Sequence, residues 1–100
     1  MANMTTNTAE LRKVASELTN YNGQFQQNVG RLIDDEAELS TMWEGEANKT
    51  FHNAFAKSVT SLDSFYKVIA EYIRVLQELA RTYEEAEQRA ADTAQNKSQG

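Results

Sequence analysis

The 100-residue chain has no cysteine and no proline, and it carries a single tryptophan and a single histidine. Without cysteine, disulfides and thiolate metal sites are excluded whatever the compartment. Without proline, nothing in the backbone forbids long helices. Basic residues are scarce too: ten Lys and Arg stand against fifteen Asp and Glu, a net charge of −5. That balance argues against a nucleic-acid surface or a polybasic membrane anchor. No apolar run approaches the roughly 20 residues that span a bilayer, so stable membrane insertion is not expected. The opening residues Met1-Ala2-Asn3-Met4-Thr5-Thr6 hold neither the basic nor the apolar region of a general secretory signal peptide. The expectation is a chain that is cytoplasmic when made, with export open to a route that reads the folded protein.

Reactive chemistry is as thin. His52 has no cysteine or second histidine to share a metal with and is expected as a half-exposed helix residue. No Gly-rich phosphate loop, nucleophile elbow or zinc motif occurs, and two packed helices leave no catalytic cleft. No catalytic, cofactor-binding or metal-ligating residue is therefore assigned, no cofactor is implied, and no enzyme is expected. Asp34, Asp35, Glu36 and Glu38, followed by Glu44 and Glu46, form an acidic run. It reads either as a solvated face or as an acidic end open to a basic partner.

What the chain does have is periodicity. From a capping-box start at Asn7 and Glu10, apolar residues fall at Leu11, Val14, Leu18, Tyr21, Phe25, Leu32 and Leu39, one face of a helix. Asn22-Gly23 is a turn signal, but the repeat continues in phase across it, so one helix is expected over about 8–40. A second repeat, Phe51, Phe55, Ser58, Leu62, Phe65, Ile69, Tyr72, Leu76, Leu79, Tyr83, Ala86 and Ala90, alternates by fours and threes without a slip. It predicts a helix over about 46–90 with a coiled-coil-like seam. Between the two lies Trp43-Glu44-Gly45, where glycine permits a reversal and the indole can cover the meeting helix ends. The fold class is all-α: a single helix-turn-helix hairpin domain over 1–100, with flexible polar tails at about 1–6 and 92–100.

The second helix is apolar on more than one side. Tyr66, Val68, Ile73 and Val75 lie off its main stripe, and two helices alone offer one interface. Side-by-side dimerisation into a four-helix bundle is the economical solution, with these four residues as candidate interface. Ser16, Gly23, Gly30 and Ala37, seven residues apart on the first helix, make a stripe of small side chains opposite the Leu11/Leu18/Phe25 face. It is either a tolerant solvent face or a groove where a second chain approaches closely.

A hundred residues with Trp43-x-Gly45 between two long helices and Tyr83-x-x-x-Glu87 near the end resemble the WXG family. These are the early-secretory-antigen-like substrates of the bacterial type VII (ESX) secretion system, and the resemblance covers the whole chain. It implies a hairpin that dimerises into a four-helix bundle and is exported folded. It further implies a composite export signal read by the secretion ATPase, with Trp43 and Gly45 as one half and Tyr83 and Glu87 of the partner as the other. Two roles follow from it. One is a secreted homodimeric effector without catalysis; the other is a heterodimer with a related hairpin, as a helical targeting partner or chaperone of a larger type VII-secreted toxin. Outside the resemblance, a cytoplasmic scaffold with no part in secretion stays open.

Overall fold

A computed structural model of the chain describes residues 4–99. Helix α1 runs over Met4–Thr41 and helix α2 over Glu46–Gln99, joined by residues 42–45. Among the described residues there is no strand, and the bend falls at Trp43–Gly45 as the sequence implies. Gly23 and Gly30 stay inside α1, so the apolar repeat outweighs the Asn22-Gly23 turn signal.

The helix ends differ from the expectation. α1 is already helical at Met4, the first described residue, which places Asn7 inside the helix and not at its cap. α2 continues to Gln99, nine residues past Ala90, where a flexible tail was expected from 92. Loss of the apolar period ends the packing there but not the helix. No glycine or proline interrupts residues 92–99, and Ala94 and Gln95 are good helix formers. Residues 1–3 and Gly100, the rest of the two expected tails, lie outside the described residues.

The chain divides into two compact units. The turn unit, Asn20–Ala70, holds antiparallel segments of both helices. In it Phe25 meets Phe65 edge-on at 5.5 Å, and the Asn22 amide donates to the Tyr66 carbonyl at 3.2 Å. The terminal unit pairs residues up to Thr19 with those from Glu71 onward. Its core is Ala15, Ile73, Leu76 and Ala80. Ala15 and Ala80 are 1% and 0% exposed, small enough for helices to approach closely.

The seam inside the chain is not centred on the apolar stripe. α1 buries Thr8, Ala15, Asn22 and Glu36, all multiples of seven apart, with Leu11, Leu18 and Phe25 half-buried beside them. α2 contributes positions 55, 59, 62, 66, 69, 73, 76, 80, 83 and 87, in unbroken fours and threes. From Phe51 to Leu79 every second position of the expected α2 seam, Phe51, Ser58, Phe65, Tyr72 and Leu79, is exposed, as are Val14, Tyr21, Leu32 and Leu39 on α1. Within each unit the two helices pack along one edge of their apolar stripes and leave the other edge exposed.

Candidate functional site

The turn is built from backbone and one amide side chain. α1 ends with the Thr41 hydroxyl donating to the Glu38 carbonyl at 2.7 Å and the Met42 N–H donating to the Leu39 carbonyl at 3.0 Å. Gly45 then takes φ 107°, a conformation side-chain-bearing residues rarely adopt. Its carbonyl accepts the first bond of α2, from the Lys49 N–H at 3.2 Å, so Gly45 is the N-cap. Asn48, three residues on, reaches back into the turn. Its amide nitrogen donates to the Trp43 carbonyl and lies 3.5 Å from the Ser40 carbonyl, while the Ser40 hydroxyl donates to Oδ1 at 3.3 Å. The Glu38, Leu39 and Ser40 carbonyls, which the helix end leaves without an intrahelical partner, are thus each answered. Above them the half-buried Trp43 ring tilts on Phe51 at 5.7 Å, and Phe51 stacks on Phe55 at 6.2 Å.

Near the turn Glu36 is buried, and its Oε2 lies 2.9 Å from His52 Nδ1. The acidic run therefore has two parts: Glu36 faces inward, whereas Asp34, Asp35, Glu38, Glu44 and Glu46 are exposed. No group of His, Cys, Asp and Glu among the described residues could hold a metal ion.

Tyr83 and Glu87 belong to the terminal unit, and Trp43 and Gly45 to the turn unit. Both Tyr83 and Glu87 are half-buried seam residues of α2. Tyr83 lines a groove of about 400 Å³ with Leu11 and Val14 of α1 and with Tyr72, Leu76 and Leu79 of α2. Between them, Glu84 takes a two-pronged bond from Arg12 of α1: Nε to Oε2 at 2.8 Å and Nη2 to Oε1 at 2.7 Å. The bond to Arg12 holds the Glu84 carboxyl below its ordinary range and raises the guanidinium. About three turns earlier, Arg74 bonds Glu71 at 3.1 Å and Glu78 at 2.8 Å on α2's own surface, again pulling the Glu71 carboxyl down.

The candidate interface residues fall in different places. Val68 and Val75 are exposed, at 62% and 46%. Ile73 is buried within the chain and Tyr66 is half-buried in the inner seam. Ser16 and Ala37 are exposed; Gly23 and Gly30 are half-buried, and a Cβ built on either glycine would meet nothing within 4 Å. Along α2 the exposed apolar residues Phe65, Val68, Tyr72, Val75 and Leu79 follow spacings of three and four. That is a second, outward heptad seam beside the inner one.

Sequence reasoning missed Asn48, Arg12 and Glu84. Asn48 was findable, because a side chain three positions past a helix cap commonly reaches back, as Glu or Gln does in a capping box. The Arg12–Glu84 pair spans 72 positions and carries no local signal.

The chain matches the WXG100 family model, described as proteins of 100 residues with WXG, over residues 3–88. Comparison with curated proteins and with solved structures gave no match. The chain belongs to the WXG100 family, and no helix among its described residues is long and apolar enough to cross a membrane.

Proposed function

We propose that this member of the WXG100 family is a non-catalytic substrate of a bacterial type VII secretion system, exported as a folded homodimer and acting outside the cell. The family match is the observation that carries the reading. Trp43 and Gly45 of one copy and Tyr83 and Glu87 of the other form the export signal, recognised together by the secretion ATPase. Supporting this, the Trp43–Gly45 turn is fixed by its own hydrogen bonds, and the Tyr83 segment lies in the unit that does not contain the turn.

The outward flank supports the dimer, and in this reading the second copy docks on it. Val14 and Tyr21 on α1 and Phe65, Val68, Tyr72, Val75 and Leu79 on α2 expose apolar surface at helical spacing, which water penalises and a second helical pair would cover. Ser16 lies two residues beyond Val14, and Gly23 two beyond Tyr21. Each is about 200° around the helix from that flank, so the small-residue stripe faces away from the partner. Tyr66 and Ile73 back the interface from the inner seam. A related hairpin, paired to deliver a larger toxin, is the other occupant this flank would accept.

Culture supernatant tests the signal. Trp43→Ala and Tyr83→Ala are each expected to retain the wild-type helical signal in the purified protein and to stay inside the cells. Export of either at the wild-type level would remove that residue from the signal.

A further inference from the structure

We propose that α1 latches the Tyr83–Glu87 segment, through Arg12 on Glu84 and the groove that Tyr83 shares with Leu11 and Val14, and that export requires this segment to peel off α1 first. The inference rests on the signal assignment above and adds a step to it.

A receptor reads a side chain only where it can reach it. Tyr83 is half-buried, and Glu87 is half-buried with its Oε1 shielded from solvent. Both point into the seam that closes the hairpin, on the same face as Ala80, which has no exposed surface. The segment is thus presented to α1 and not outward. The two-pronged Arg12–Glu84 bond crosses from α1 to the residue after Tyr83, and two parallel N–H···O bonds fix orientation as well as distance. Beyond Glu87 the packing stops, since residues 88–96 are all exposed. The segment is therefore the last part of α2 held in place by α1.

The latch is weak enough to open. Arg12 and Glu84 are themselves half-exposed, and pairs in that setting contribute modestly and are screened by salt. Helix ends with few buried contacts open locally at a fraction of the cost of global unfolding. Opening would release Tyr83 and Glu87 together, giving a receptor an aromatic ring and a carboxylate on one face of the helix.

The test combines amide hydrogen exchange on the purified full chain with export from cells, for Arg12→Gln, Glu84→Gln and the charge swap Arg12→Glu with Glu84→Arg. Either single variant is expected to speed exchange of the amides of residues 82–90 about threefold to fivefold, leave residues 46–70 unchanged, and raise export. The swap is expected to restore both to wild type, which a merely structural defect would not. Unchanged exchange at 82–90, faster exchange without more export, or a swap that restores neither overturns the latch. Tyr83→Ala in each background separates the two readings. If it blocks export while the latch variants do nothing, the signal stands without a latch. If it is exported normally, the signal assignment itself falls.

Discussion

Single residues decide the turn, and three glycines show how differently one residue type can act. A Cβ at Gly45 would meet no atom within 4 Å, so its importance lies in φ 107° and not in space. Gly45→Ala is expected to cost about 1–2 kcal/mol. Gly23→Ala and Gly30→Ala, helical and equally uncrowded, are expected to stabilise by about 0.5–1 kcal/mol each. Asn48→Ala, which strands the Trp43 and Ser40 carbonyls, is expected to cost about 1–2 kcal/mol. Urea unfolding followed by Trp43 fluorescence checks all four; a loss of stability at Gly23 as large as at Gly45 would contradict the assignment. Gly45 was legible in the sequence because a lone Trp-x-Gly separates two periodic stretches, and a chain reversal fits nowhere else between them. Asn48 was legible only as a side chain able to reach back from three positions past the cap; which carbonyls it bonds, those of Trp43 and Ser40, emerges only in the folded turn.

For the two helices the informative result is the phase of the seam. Periodicity reports where apolar residues lie, and these fall on two flanks, one packed within the chain and one exposed. α1 gives its most buried positions to Thr8, Ala15, Asn22 and Glu36, three of them polar, so the inner seam is almost invisible to hydropathy. The legible stripe instead averaged the inner and outer flanks. That is why helix existence and direction followed from the pattern while Phe65, Tyr72 and Leu79 were placed inside. Tyr83, by contrast, was placed in the seam by the pattern and is half-buried there, and the structure adds its neighbours Leu11 and Val14. The outer seam carries its own prediction. Val68→Glu or Val75→Glu would bury an unpaired charge at a helix–helix contact and is expected to weaken self-association at least ~10-fold, with helicity unchanged. Gly23→Leu, on the opposite flank, is expected to leave association as it is. Sedimentation velocity across a concentration series compares them, and the reverse ranking would move the interface to the small-residue stripe.

Taken whole, the molecule has too little interior to be finished. Among the described residues no large side chain is fully buried, and the apolar core is Ala15, Ile73, Leu76 and Ala80. A core that small rarely stabilises a chain of this size without a staple, and the absence of cysteine removes the covalent one. Exposed Tyr21, Phe65, Val68 and Tyr72 supply the surface that association would bury. Family membership, the outward seam and the thin interior are what support the proposal that a second hairpin is part of the folded state. The mass of the purified chain by sedimentation equilibrium at micromolar concentration settles this. Twice the 11.3 kDa of one chain is expected; a compact, stably folded species of 11.3 kDa would contradict it.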